Sequence, residues 1–177
     1  SAGVGPIMTE VAAEVGDGYF LHPFNTAVSM DQLSLAAIDR GLKKANKSRS
    51  GFEVSAQVIT ATGLDEAGMN AAIASARNQI AFYASTPAYL PVLECHGWEG
   101  LQADASQMMR DGKWAELNAL IDDEILNTFA VVGTPAEVAE KISVRFGGKV
   151  ERISPVGYQP DVPLLAELRL QISQAMR

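Results

Sequence analysis

The chain has 177 residues, 47% of them hydrophobic and 20% charged, with a formal net charge of −7. This composition indicates one globular domain, residues 1–177. The acidic balance argues against nucleic acid or an anionic membrane as the main partner. Cys95 is the only cysteine, so no disulfide forms within the chain. With no visible signal peptide and no apolar run of about 20 residues, we expect a cytoplasmic protein.

The first third predicts a helix, a strand and a second helix. Ile7, Val11 and Val15 recur at a spacing of four, which predicts a helix from Pro6 to Val15. The apolar run from Tyr19 to Leu21 predicts a strand of a parallel sheet. Ser29 or Asp31 is expected to cap the next helix. The apolar stripe of that helix is Met30, Leu33, Ala37, Ile38, Gly41 and Leu42.

The rest of the chain continues the alternation of strand and helix. Two further strands are predicted, from Phe52 to Ala61 and from Val150 to Val156. Asp65 begins a long helix, and the Thr134–Glu137 capping box, with proline at the first helical position, opens another that ends near Phe146. The segment 86–128 contains several prolines and glycines and is predicted to be an insertion of short helices. A final helix is marked by Leu164, Leu168 and Ile172.

Strands that alternate with helices predict an α/β fold of right-handed βαβ units around a parallel sheet. About three strands are expected. Three strands do not close a barrel, but they can form one side of one. An unrelated three-stranded α/β binding module has the same element order, and the curvature of the sheet would separate the two.

Three segments resemble one enzyme family. They are the glycine turn and helix from Gly3 to Gly18, the helical string from Ala76 to Trp98, and the Phe129–Pro135 segment that ends in Gly-Thr-Pro. In this order they are similar to the luciferase-like monooxygenases, and most similar to the subgroup of F420-dependent oxidoreductases. Members of the family are much longer than this chain. The resemblance therefore implies the C-terminal part of a (β/α)8 TIM-type barrel.

The resemblance implies a flavin- or F420-dependent oxidoreductase or monooxygenase that acts on a small organic substrate. Coenzyme F420 or FMN is the expected cofactor. The intact protein is then an enzyme, and this chain alone is expected to be inactive. The alternative is a catalytically inactive half-barrel that oligomerises through exposed strand edges. In either case we expect a homo-oligomer.

The expected cofactor contacts lie near the carboxyl ends of the first strands. A glycine turn before a helix lets backbone approach a ligand and presents free N–H groups. His22 follows a predicted strand end, where barrel active sites lie. An ordinary tight turn, and a histidine packed by its neighbours, are the structural alternatives. The cofactor-binding candidates are Gly3, Val4, Gly5, Pro6 and His22.

The expected substrate contacts are Asn25, Tyr83 and Tyr89, although aromatic residues at this spacing more often belong to a core. Arg77 suits either a cofactor phosphate or a contact between helices. His96 and Cys95 lack enough neighbouring ligands for a metal site, so none is predicted. No catalytic residue is assigned from the sequence.

Overall fold

A computed structural model describes residues 5–158 and 162–175. The strands are β1 (Gly18–Leu21), β2 (Glu53–Ala61), β3 (Val131–Val132) and β4 (Arg152–Val156). The α-helices are α1 (Pro6–Val15), α2 (Ala27–Ser29), α3 (Ala36–Lys44), α4 (Glu66–Ala84), α5 (Leu90–Glu94), α6 (Glu99–Arg110), α7 (Asp123–Phe129), α8 (Pro135–Phe146) and α9 (Val162–Ala175). A π-helical segment covers Met30–Leu35, and 3-10 helices cover Arg49–Gly51, Pro87–Tyr89 and Trp114–Leu120.

All strand pairs are parallel, as predicted. Phe20 and Leu21 of β1 pair with Ser55 and Ala56 of β2, and the same two β2 residues also pair with β4. β1 and β4 therefore lie on opposite sides of β2, and the three strands are neighbours in the order β1, β2, β4. Consecutive parallel strands with helical crossovers are the arrangement of neighbouring barrel strands.

The structure adds one strand that the sequence did not predict. β3 contains two residues, Val131 and Val132, and pairs with Thr60 and Ala61 at the carboxyl end of β2. β3 follows residues 87–129, which form several short helices, as predicted. A two-residue strand is too short to give a recognisable periodicity.

The helix after β1 begins earlier than predicted. Thr26, and neither Ser29 nor Asp31, is the N-cap: its hydroxyl accepts a hydrogen bond from Ser29 N–H, and the Ser29 hydroxyl accepts one from Thr26 N–H. This is a capping box with serine in the position where glutamate or glutamine usually stands. The π-helical segment follows at once. Leu33 is only half-buried there, while Met30 is fully buried.

The core has two parts that meet on β2. Alternate β2 residues, Val54, Ala56 and Val58, pack with Ile38 of α3 and Ile142 of α8. Towards the carboxyl end, Ile59 and Ala61 join a second cluster with Ile80, Leu93 and Phe129, which anchors the helical segment 87–129. The insertion therefore covers the carboxyl end of the sheet, because β2 continues into its core.

α1 and α3 lie side by side. Their close contact requires Gly41, since a Cβ there would overlap the Glu10 carbonyl oxygen. Glu10 also forms ion pairs with Lys44 and with Arg40, the latter at 2.9 Å. The side-chain hydrogen bond from Lys44, with a smaller one from Arg40, lowers the pKa of the Glu10 carboxyl. This packing fixes α1, and with it the turn at Gly5, relative to β1.

Polar side chains join the strands at the amino end of the sheet. The Arg49 guanidinium donates to the Lys149 carbonyl at 3.1 Å and pairs with the Glu151 carboxylate at 3.0 Å. The same carboxylate accepts a hydrogen bond from Val54 N–H at 2.6 Å. Burial opposes ionisation of Glu151, but the bonds from Val54 and Arg49 bring its pKa below the usual value. β2 and β4 are thus held together by paired polar groups.

Candidate functional site

A cleft lies beside the carboxyl end of β1. The predicted site residues that line it are Gly5, Pro6, His22, Asn25 and Tyr89. Its volume is about 50 Å³. A cavity needs roughly 10–15 Å³ of such volume to hold one water molecule. The cleft is therefore large enough for the polar edge of a ligand.

Gly5 forms the entrance to α1. Its φ of +83° is a conformation that glycine adopts without strain, and an added Cβ would meet nothing within 4 Å. The backbone therefore faces open space at this point. Among the described residues no side chain caps α1. A helix N-terminus presents backbone N–H groups that lack intrahelical partners and suit an anion or a carbonyl oxygen. Gly3 and Val4, the other two residues of the predicted turn, lie outside the described residues.

Thr9 holds this turn to β1. Its hydroxyl donates to the Gly5 carbonyl at 2.9 Å and lies 2.9 Å from the Tyr19 hydroxyl. Burial raises the pKa of Tyr19, and the bond with Thr9 opposes the rise in part. Thr9 and Tyr19 both line the cleft. Sequence reasoning missed them because each reads as an ordinary core position of its element.

His22 contacts the protein through both ring nitrogens. Phe24 N–H donates to Nδ1 at 3.1 Å, and Nε2 lies 3.0 Å from the Tyr89 hydroxyl. The Tyr89 ring is stacked on the imidazole at 4.8 Å, and the Tyr83 ring meets it edge-on at 4.9 Å. Burial lowers the pKa of His22, so the ring is neutral near pH 7.

Asn25 is 6% exposed, and its amide is oriented by backbone carbonyls of β2 and of the residue directly after β1. Nδ2 donates to the His22 carbonyl and lies 3.4 Å from the Gln57 carbonyl. Both partners are acceptors, which fixes the nitrogen on that side. Oδ1 is buried and has no hydrogen-bond partner among the described residues. Asn25 lines the cleft, and a buried acceptor without a partner is rare in folded proteins unless a water or a ligand bonds to it.

Two other buried polar atoms share this property. They are Thr62 Oγ1, directly after β2, and Tyr158 Oη, two residues after β4. Burial raises the pKa of Tyr158, and so does the nearby Tyr83 hydroxyl, which lies outside hydrogen-bond geometry. Within residues 5–158 and 162–175, every buried side-chain N or O atom without a hydrogen-bond partner therefore follows the carboxyl end of a strand. Sequence reasoning missed Thr62 and Tyr158, although their positions after two strand ends were a usable signal.

The insertion contributes Tyr89 to the cleft, whereas Tyr83 of α4 does not line it. Tyr83 lies behind His22 and is absent from the cleft lining. His96 joins the insertion to the loop after β1, because its Nε2 lies 2.8 Å from the Thr26 hydroxyl. Arg77 bonds the Ile121 carbonyl and the Asp123 carboxylate. Of the two roles considered for Arg77, the contact between helices is the one observed.

The π-helical segment supplies Leu33 and Ser34 to the cleft wall. The sequence placed Leu33 in the buried stripe of a regular helix, and the π-helical turn changes that phase. π-Helical turns occur often at functional sites. No cluster of three or more metal-type side chains was found in the described ranges, and no helix there is long and apolar enough for a membrane span.

The sequence profile of luciferase-like monooxygenases matches residues 1–151. The chain belongs to this family. The match includes the glycine turn, β1, β2 and the insertion, so the resemblance found in the sequence is confirmed.

Curated relatives give further detail. An uncharacterized protein of Mycobacterium tuberculosis is 44% identical over 155 residues, which cover 88% of this chain and 46% of that protein. A 5,10-methylenetetrahydromethanopterin reductase of Archaeoglobus fulgidus is 33% identical over 168 residues, covering 86% of this chain and 47% of the relative. The chain thus spans about half the length of the curated relatives it matches.

Two solved structures share the fold. The coenzyme F420-dependent tetrahydromethanopterin reductase of Methanopyrus kandleri matches with a TM-score of 0.77 and 24% identity, over 99% of this chain and 50% of that one. An F420-dependent secondary alcohol dehydrogenase, solved with an F420–acetone adduct, matches with a TM-score of 0.63 and 14% identity, over 99% and 48%. The α/β fold, with its parallel sheet and helices, therefore corresponds to half of such a barrel-type chain.

Proposed function

We propose that this chain forms part of the cofactor site of an F420-dependent oxidoreductase that acts on a small organic substrate. The observation that carries the proposal is the set of unpaired buried polar atoms after β1, β2 and β4. A buried polar group without a partner costs about 1–3 kcal/mol. Such groups are rare unless a ligand or a water uses them. In parallel α/β barrels this end of the strands is where ligands bind.

The residues around the cleft fit the polar edge of a deazaflavin. Such a ring edge carries both N–H donors and carbonyl acceptors. Asn25 Oδ1 suits a ring N–H, and the backbone N–H groups at the start of α1 suit a carbonyl or a phosphate oxygen. Gly5 allows the ring or its tail to approach the backbone. When bound, the cofactor supplies hydride transfer, and the chain's own residues orient it and exclude water.

Coenzyme F420 is favoured over FMN by the names of the relatives. The reductases of Archaeoglobus fulgidus and Methanopyrus kandleri act on a methanopterin, according to their names, and both solved structures are named as F420-dependent. FMN remains the second candidate, because its ring presents similar polar groups to Asn25 and Gly5.

A titration of the purified chain with coenzyme F420 and with FMN, followed by fluorescence, tests the proposal. We expect binding of F420. Asn25→Leu removes the unpaired acceptor and should weaken this binding about tenfold, the effect of a lost hydrogen bond plus a poorer fit. Asn70→Ala, at an exposed position of α4, is the matched control and should bind like the wild type. Unfolding midpoints of the same samples would show whether a loss of binding is a loss of structure.

The alternative is a half-barrel that oligomerises without binding a cofactor. One observation favours it: α1 exposes the apolar side chains Ile7 and Val15 at 79% and 78%, and β1 exposes Phe20 at 56%. Exposed large apolar side chains are available for contact with a second copy of the chain. Failure of the chain to bind either cofactor, together with a dimer in sedimentation velocity, would support this alternative over the first proposal.

A further inference from the structure

The His22–Tyr89 pair is built in a way that fixes hydrogen positions. A neutral imidazole has one donor nitrogen and one acceptor nitrogen. Nδ1 accepts the Phe24 N–H at 3.1 Å, so the hydrogen of the neutral ring is on Nε2. Nε2–H then donates to the Tyr89 hydroxyl oxygen across 3.0 Å. As a result, the Tyr89 hydroxyl hydrogen is not used by His22.

The surroundings keep both groups in these states. Burial lowers the pKa of His22, which keeps the ring neutral. Burial, and then Tyr83, raises the pKa of Tyr89, which keeps the phenol protonated. The edge-on Tyr83 ring holds the imidazole from another side at 4.9 Å. Among the described residues, no side chain other than His22 lies within hydrogen-bond distance of the Tyr89 hydroxyl.

His22 and Tyr89 also share the cleft with Asn25, whose Oδ1 lacks a donor. The cleft therefore presents an unused donor hydrogen on Tyr89 and an unused acceptor on Asn25. A ligand that carries both an acceptor and a donor would satisfy the two together.

We infer that Tyr89 donates its hydroxyl hydrogen to a carbonyl or imine lone pair of the bound ligand, with His22 as its positioning residue. The inference rests on the proposed function in that the acceptor belongs to the cofactor ring or to its substrate. Both sources present the same chemistry to Tyr89. In each case the imidazole fixes the rotation of the phenol hydrogen before the ligand arrives.

The hydrogen positions can be tested without any ligand. The chain has two histidines, so a long-range ¹H–¹⁵N spectrum of histidine-labelled protein contains two imidazoles. We expect an unprotonated Nδ1 and a protonated Nε2 for His22 near pH 8. Tyr89→Phe keeps the ring and removes the oxygen, so the His22 Nε2 signal should shift while His96 does not. Tyr83→Phe is the matched control, because its hydroxyl does not bond His22, and it should leave the tautomer unchanged.

Two probes then separate the sources of the acceptor. Coenzyme F420 tests the cofactor ring, and acetone tests a small carbonyl substrate. A fivefold to tenfold loss of affinity in Tyr89→Phe, about one hydrogen bond, for either probe supports the inference and identifies the source. An Nδ1–H tautomer, or equal affinities of wild type and Tyr89→Phe for both probes, would overturn it. Absence of F420 binding by the wild type counts against the proposed function alone, because the tautomer and the acetone measurement stand without it.

Discussion

The two ends of the sheet differ in whether their buried polar groups have hydrogen-bond partners. At the amino end, Arg49 and Glu151 bond to each other and to the backbone of β2 and of the segment before β4. At the carboxyl end, Asn25, Thr62 and Tyr158 each keep a buried polar atom without a partner in the described part of the chain. The same parallel strands therefore have one end at which hydrogen bonds are completed and another at which they are left open.

The difference indicates a division of roles along the strands. Paired groups stabilise the fold, whereas unpaired buried groups reduce its stability unless a ligand satisfies them. In barrels of this architecture, stability residues concentrate at the amino-terminal face and functional residues at the carboxyl-terminal face. Substitutions at the two ends should thus change stability with opposite signs.

The largest effect is expected at the amino end. Glu151→Ala removes the acceptor of the buried Val54 N–H and one partner of Arg49, and should lower the free energy of unfolding by about 2 kcal/mol. Glu53→Ala is the control, because among the described residues the Glu53 side chain pairs only with Arg152, at 45% and 70% exposure. Its cost should stay below about 1 kcal/mol. Urea unfolding of both variants measures this, and equal losses would contradict a special role for Glu151.

At the carboxyl end, removal of a polar group should raise the free energy of unfolding instead of lowering it. Thr62→Val replaces a buried, unpaired hydroxyl with a methyl group of the same shape and should stabilise the protein by about 1 kcal/mol. Thr60→Val is the matched control, since the Thr60 hydroxyl donates to the Val58 carbonyl at 3.0 Å. That variant should instead lose about 1 kcal/mol. Thermal unfolding of both variants tests this prediction. Destabilisation by Thr62→Val would mean that the Thr62 hydroxyl already has a hydrogen-bond partner.

The smallest effect is a dependence of stability on pH. Burial lowers the pKa of His22 and of His96, so the unfolded chain binds protons that the folded chain does not. The stability that the two neutral histidines contribute is complete above the unfolded-state pKa of about 6.5. It falls as pH decreases from there towards the pKa values of His22 and His96 in the folded protein. The carboxyls with lowered pKa, among them Glu151, act in a separate window below their ordinary pKa of 4.5.

Urea unfolding at pH values between 7.5 and 5.5 measures this dependence, over a range of about one unit on either side of 6.5. The double variant His22→Gln/His96→Gln should show a flatter profile than the wild type. A wild-type stability that rises as pH falls, or an unchanged profile in the double variant, would refute the assignment.

Much of the fold follows from local signals. Helix α1 and helix α8 have the predicted bounds, because proline at the first turn and a glycine at the end mark them in the sequence. The three longer strands can be recognised in the sequence, β1 and β2 by their apolar side chains, and their parallel pairing follows from the helices between them. The short strand β3 and the π-helical segment gave no periodic signal, since each depends on tertiary contacts.

The site was predicted only in outline. His22 and Asn25 were found because they follow a strand end, and Tyr89 because it belongs to a family-like string. Their mutual contacts depend on how the insertion folds over β1, which no spacing in the sequence reveals. Thr62 and Tyr158 also follow strand ends, but their significance comes from missing hydrogen bonds, which only coordinates show. The binding roles of Gly5, Pro6, His22, Asn25, Tyr83 and Tyr89 stay predictions, as do those of Gly3 and Val4.

Because of the π-helical turn at Met30–Leu35, the insertion or deletion of a single residue would change which side chains form part of the cleft wall. A π-turn differs from an α-turn by one inserted residue. Deleting a single residue there would restore regular helix and rotate Leu33 and Ser34 away from the cleft, while the α3 residues that pack on α1 keep their positions. A one-residue difference at this point would therefore change the cleft wall while the packing of α3 on α1 stays in place.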